Sequence, residues 1–222
     1  MREEERVALI IDFDGTAATT NVGMSLIEAF AKDDSWRVID DDYERGKVGS
    51  KRAFELLAEV LGGTPEEWAG FIETGHTLDP DLSTLVECAT SKGWSVEILS
   101  DGLDFYIHRM LERENISLPV RAATLSHNGV RAIIEMSYSD VDCGRCSTCK
   151  KSRVEELLAG GYRTIFIGDG LSDRCGAPSA DRIFAKDKLA EHLREHGIGF
   201  EHFETLSDVT QALFGAEDKG DL

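Results

Sequence analysis

The sequence holds 222 residues, 41% of them hydrophobic and 30% charged, which suits one soluble core with room for a small insert. Its net charge of −18 sets up a field that repels nucleic-acid phosphates and anionic membranes, so neither is an expected partner. No apolar run approaches the roughly 18 residues of a membrane-spanning helix. The opening Met1-Arg2-Glu3-Glu4-Glu5-Arg6 is too acidic for a secretory signal. Five cysteines, an odd number, then imply free thiols and a reducing cytoplasm.

In chain order, Val7-Ala8-Leu9-Ile10-Ile11 is a short β-branched run, predicted as a buried parallel strand. It stops abruptly at Asp12-Phe13-Asp14-Gly15-Thr16. Periodicity then predicts amphipathic helices over 25–32, 50–61 and 65–73, with no strand between them. Gly62-Gly63 stops one helix, and Thr64-Pro65 caps and starts the next. Residues 17–78 therefore read as a small helical insert, with 1–16 and 79–222 forming the core.

A helix over 82–92 precedes a second strand, 94–99, which leads into Ser100-Asp101-Gly102. A helix over 103–114 and a hairpin turning on Asn128-Gly129 follow. Next come a helix over 151–159 and a third strand, 162–167, which ends at Gly168-Asp169-Gly170. A weaker strand over 181–185 and a helix over 188–196 complete the pattern, and residues 215–222 read as frayed. Strands alternating with helices predict an α/β fold, a Rossmann-like parallel sheet in three layers. Such sheets bind ligands beyond the carboxyl ends of their strands, where polar clusters follow three strands here.

Those clusters carry recognisable chemistry. Asp12 and Asp14 are two carboxylates at a strand end, and the Gly15 break lets them diverge. One can serve as nucleophile or metal ligand and the other as acid and base. Ser100, with its hydroxyl and neighbouring N–H groups, suits a phosphate at a strand-to-helix turn. Asp169 and Asp173 supply hard oxygen ligands of the kind Mg2+ takes.

Taken together, Asp12-Phe13-Asp14-Gly15-Thr16, Ser100, a lysine near 150 and Gly168-Asp169-Gly170-Leu171-Ser172-Asp173 resemble the four motifs of the haloacid dehalogenase superfamily, in family order. The insert resembles that superfamily's C1 cap. Ser100-Asp101-Gly102-Leu103-Asp104-Phe105-Tyr106-Ile107, the Cys149-Lys150 pair and the segment from Phe184 to Ala190 are similar to the phosphoserine phosphatase-like branch. The match is greatest to its methionine-salvage phosphatases, which act on a hydroxyketo-methylthiopentenyl phosphate. Asp101 stands where phosphoserine phosphatases usually carry glycine.

The resemblance implies a Mg2+-dependent phosphatase of small phosphorylated metabolites. Asp12 would be the nucleophile and Asp14 the acid and base. Asp12, the Asp14 carbonyl, Asp169 and Asp173 would surround the metal. Ser100, Asp101, Gly102 and Lys150 would hold the phosphoryl group. The neighbouring Lys151 leaves the third motif open by one residue, and the cysteine favours Lys150. The same residues also suit phosphotransfer to a small alcohol.

Two features stand outside this reading. Cys143-Gly144-Arg145-Cys146-Ser147-Thr148-Cys149 spaces three thiols for Zn2+ or an iron–sulfur cluster, or is a loop of free thiols. Arg45, Lys47, Lys51 and Arg52 lie in the insert, where a closing cap could bring one to the substrate.

Overall fold

A computed structural model describes residues 5–215. The β-branched run forms β1, Val7–Ile11, and every one of its residues is buried. Val7, Leu9 and Ile11 enter one apolar cluster, while Ala8 and Ile10 enter another on the opposite face. A strand packed on both faces needs no polar alternation, which is why this run reads as continuously hydrophobic.

β1 lies at the centre of a seven-stranded sheet ordered β4-β3-β2-β1-β5-β6-β7. The strands are β2 Ser95–Leu103, β3 Val120–His127, β4 Ala132–Glu135, β5 Arg163–Gly168, β6 Arg182–Ala185 and β7 Glu201–His202. All pairings are parallel except β3 with β4, the hairpin expected at Asn128-Gly129. Helices α5 (Leu82–Ser91), α6 (Asp104–Arg113) and α9 (Leu206–Phe214) cover one face. Helices α7 (Lys150–Ala159) and α8 (Asp187–Glu195) cover the other. This is the expected three-layer arrangement.

Between β1 and β2 the chain also forms α1 (Val22–Phe30), α2 (Ser35–Glu44), α3 (Ser50–Val60) and α4 (Pro65–Gly75). Thr64 accepts the Glu67 N–H while the Glu67 carboxylate accepts the Thr64 N–H, so Pro65 starts α4 behind a reciprocal cap. Trp68 is fully buried, and its indole N–H donates to the Gly62 carbonyl at 2.8 Å. The two ends of this segment meet: Thr19 N–H donates to the Thr77 carbonyl, and Asp79 N–H to the Ala17 carbonyl at 2.8 Å.

Three expectations need correction. β2 does not end at Leu99 but runs on to Leu103, with a register shift against β3 between those residues. Ser100 therefore lies within a strand rather than at a strand-to-helix turn. Helix α2 was not anticipated: Trp36 is its one buried residue, and Ile39 and Tyr43 on the same side stand among Asp40, Asp41 and Asp42. Neither β7 nor α9 was anticipated: β7 is two residues long, and α9 docks through Leu206 and Val209, with Leu213 and Phe214 only partly buried. The tail expected to fray lies outside the described residues beyond Gly215. Among the described residues, no helix is long and apolar enough to cross a membrane.

Candidate active site

β1 pairing continues one step beyond the strand, where Asp12 N–H donates to the Ile167 carbonyl at 2.9 Å. That bond fixes Asp12 at the floor of a cleft, 4% exposed. The chain then makes one wide helical turn over Phe13–Ala17, broken at Asp14 and at Gly15, which has φ +81°. A side chain at Gly15 would also collide with the Asp169 carboxylate, so glycine is required there twice over. The break turns Asp14 away from Asp12.

The Asp14 carboxylate meets the start of α1. Its Oδ1 accepts the N–H groups of Val22 at 2.7 Å and Gly23 at 3.2 Å. Its Oδ2 accepts the Tyr106 hydroxyl from α6. Burial raises the Asp14 pKa, and these three hydrogen bonds only partly pull it back. Gly102 makes this meeting possible, because a Cβ there would collide with the Tyr106 hydroxyl and sit 2.6 Å from Asp14 Oδ2.

Lys150 opens α7 and is 2% exposed. Its Nζ donates to Asp12 Oδ1 at 2.5 Å and to Asp173 Oδ1 at 2.6 Å. Burial opposes its charge, but the two carboxylates outweigh burial and raise its pKa, so it is an ammonium. Lys151 points elsewhere, more than half exposed and 3.6 Å from Glu155. Helix α7 is itself anchored to β2 by a bidentate Arg153–Glu97 pair, with both bonds at 2.7 Å.

Asp173 is fully buried, and its Oδ2 accepts the N–H groups of Gly170 at 2.9 Å and Asp169 at 3.2 Å. Asp169 takes the Thr16 hydroxyl at 2.7 Å. Asp12, Asp169 and Asp173 place carboxylate oxygens within 4.8 Å of one another. Burial, then the neighbouring carboxylates, lift Asp12 well above the usual range and Asp169 to about 6. Three carboxylates thus face one ammonium, an excess of buried negative charge that a hard divalent cation would neutralise. The donor set fits Mg2+. The side chain of Asp14 is not part of it, which leaves only its carbonyl for that role.

Ser100 is buried, and its Oγ accepts the Gly102 N–H at 2.9 Å. Asp101 borders the cleft, but its Oδ1 is held by the Ser147 hydroxyl and by the Thr148 N–H at 2.9 Å. It thereby ties β2 to the loop before Lys150. Above these groups opens a cavity of about 410 Å3. Met24, Ile27, Ile39, Phe54 and Leu57 line its upper part, and Lys188 stands at the rim. The Lys188 ammonium lies 2.5 Å from Glu44, joining α8 to α2 across the opening.

None of the four insert cations lines the cavity. Arg45, Lys47 and Arg52 instead pair with Asp41, Asp42 and Glu55 on the surface. Sequence reasoning gave Tyr106 and Thr16 no part in the site. Each was quoted within a motif, but a partner 92 or 153 residues away leaves no local signal.

Residues 9–178 match the haloacid dehalogenase-like hydrolases. The chain belongs to that family. Among curated relatives, the 2-hydroxy-3-keto-5-methylthiopentenyl-1-phosphate phosphatase of Exiguobacterium sibiricum is 27% identical over 214 residues, covering 93% of this chain and 96% of the relative. The enzyme of the same name from Geobacillus kaustophilus is 28% identical over 217 residues, covering 94% and 96%. A phosphoserine phosphatase solved as a phospho-aspartyl intermediate analogue superposes with a TM-score of 0.72 at 16% identity, covering 94% of this chain and 99% of that one. This haloacid dehalogenase fold is thus shared along nearly its whole length.

Proposed function

We propose that this hydrolase is a Mg2+-dependent phosphatase that cleaves a small phosphate monoester through an aspartyl phosphate on Asp12. The observation that carries the reading is the buried Lys150 bridging Asp12 and Asp173 beneath a cavity that also exposes Asp14. Lys150 holds Asp12 Oδ1, which orients the carboxylate and leaves its other oxygen to attack phosphorus in line. Asp14, with its raised pKa, donates its proton to the departing alkoxide. It then takes a proton from the water that attacks the aspartyl phosphate, releasing inorganic phosphate and restoring Asp12. Lys150 and Ser100 meet the remaining phosphoryl oxygens. Mg2+ held by Asp12, Asp169, Asp173 and the Asp14 carbonyl would neutralise charge on the phosphoryl group.

Residues 17–78 act as the cap, and the paired strands of chain at 17–19 and 77–79 are its neck. The cap's apolar wall bears on the substrate. The cap residues lining the cavity, with Asn21, Tyr43 and Ser50 its neutral polar members, offer no positive charge to the carboxylate of phosphoserine, and Lys188 is already paired with Glu44. An uncharged chain such as that of 2-hydroxy-3-keto-5-methylthiopentenyl 1-phosphate suits this wall, in line with the names of the relatives. An odd number of cysteines and a small anionic substrate suit a reducing cytoplasm.

A phosphate-release assay tests this reading. Activity should vanish after EDTA and return with Mg2+, and the methylthiopentenyl phosphate should exceed phosphoserine in kcat/KM by at least about tenfold. Full turnover after exhaustive chelation overturns the metal, and a preference for phosphoserine overturns the substrate.

A second measurement isolates Asp14. The Tyr106 hydroxyl favours the carboxylate form, so Tyr106→Phe leaves burial less opposed and raises the Asp14 pKa further. An acid must be protonated to act, so the alkaline limb of kcat/KM should move to higher pH in Tyr106→Phe. An unmoved limb, or one displaced to lower pH, removes Asp14 from the proton-transfer role.

A further inference from the structure

The three cysteines before Lys150 take no part in the chemistry above, yet the chain spends many contacts on arranging them. Asp140 Oδ1 accepts the N–H groups of Asp142 at 2.8 Å and Cys143 at 2.9 Å, which folds the segment back on itself. Gly144, at φ +63°, completes the turn. The nearby backbone N–H groups of Arg145 and Cys146 lower the pKa of the Cys143 thiol. Burial raises the pKa values of the Cys146 and Cys149 thiols, which a bound cation would have to offset. Cys149 is the N-cap residue of α7 and is buried.

Two of the sulfurs are in contact: Cys143 Sγ lies 3.8 Å from Cys146 Sγ. A tetrahedral Zn2+ with sulfur ligands at about 2.3 Å has sulfur–sulfur edges of about 3.8 Å. The trio is not closed, because its three sulfurs do not all lie within 4.8 Å of one another. We propose that Cys143, Cys146 and Cys149 form a second metal site, separate from the acidic one, that takes a thiophilic divalent cation, Zn2+, through three thiolates.

The position of this loop says what the cation would do. The Arg145 carbonyl accepts the Lys51 N–H at 3.0 Å, and the Arg145 guanidinium donates to the Gly46 carbonyl at 3.1 Å. Ser147 N–H donates to the Ser50 hydroxyl at 3.0 Å. Gly49 has no room for a Cβ against the Arg145 carbonyl. The loop thus joins the start of α3 to the residue preceding Lys150. Zn2+ would hold that joint as a structural clasp and take no part in phosphoryl transfer.

The test is metal content, which is independent of phosphatase activity. Full-length protein is purified with reductant and without air, exposed to Zn2+, desalted and analysed for bound metal. The wild type should retain about one Zn2+ per chain, and Cys143→Ser, at an exposed position, and Cys146→Ser, at a half-buried one, should each retain at least about tenfold less. Cys88→Ser, Cys175→Ser and Asp169→Asn should retain the wild-type amount. Circular dichroism checks that the serine variants are folded. Replacement with Co2+ should give thiolate charge-transfer absorption and the intense visible bands of a tetrahedral centre in the wild type only. Any of four results overturns the site: no retained Zn2+ in the wild type, equal retention in the folded Cys143→Ser and Cys146→Ser proteins, loss of Zn2+ in Asp169→Asn, or an iron–sulfur chromophore in the purified chain.

Discussion

Asp12→Asn should lose phosphate release by at least about four orders of magnitude, because an amide cannot attack phosphorus and no neighbouring carboxylate can take its place. Asp14 is held by α1 and Tyr106, Asp169 by Thr16, and Asp173 by Lys150 and two backbone N–H groups. The fold should survive. Burial and the charges of Asp173 and Asp169 disfavour the Asp12 carboxylate, so neutralising it relieves repulsion, and Lys150 keeps Asp173 as counter-charge. A melting temperature at or above that of the wild type without added metal, with silent catalysis, is the expected pair of results. Turnover near the wild-type rate in Asp12→Asn excludes the aspartyl phosphate.

Lys150→Ala should fail differently, in stability as well as rate. Removing the ammonium strands Asp12 and Asp173 in the interior with no cation between them, and an uncompensated buried charge costs about 3–5 kcal/mol. Lower pH should restore part of that loss, because the stranded carboxylates then protonate. Lys151→Ala removes only an exposed pair with Glu155 at 3.6 Å, worth at most about 1 kcal/mol. Denaturation midpoints and kcat for the two single variants decide between them. A large loss confined to Lys151→Ala would reverse the assignment, and equal small losses would remove both lysines from the site.

The sequence announced the sheet and the acidic floor more clearly than the walls around them. β1 and β5 are short apolar runs buried on both faces, and each ends in aspartates and glycine, so their position and chemistry are legible locally. The choice between Lys150 and Lys151 turns on which side of α7 faces the sheet. That side is set by the Arg153–Glu97 pair, 56 residues apart in sequence. Helix α2 was missed because its inward Trp36, Ile39 and Tyr43 lie among Asp40, Asp41 and Asp42, yet it supplies Ile39 and Glu44 to the cavity. The extension of β2 past Leu99 was equally hidden. Ser100, Asp101 and Gly102 have weak strand propensity, and neighbouring elements hold them in place: Asp101 by Ser147 and Thr148, Gly102 by its tight fit against Tyr106 and Asp14.

The central place of β1 has a consequence for how the protein comes into being. Ala8 pairs with Ser95 on one side and Thr164 on the other, so β1 is flanked by two strands that emerge far later from the ribosome. Until β5 is synthesised, a run of five apolar residues has an open edge and no covering layer from α8. Parallel pairing across such separations is slow, and its loop-closure entropy must be met before any contact rewards it. Release of nascent chains that stop short of residue 163 should give aggregation-prone products that bind chaperones. Chains extending past α8 should become protease-resistant together, in one late step.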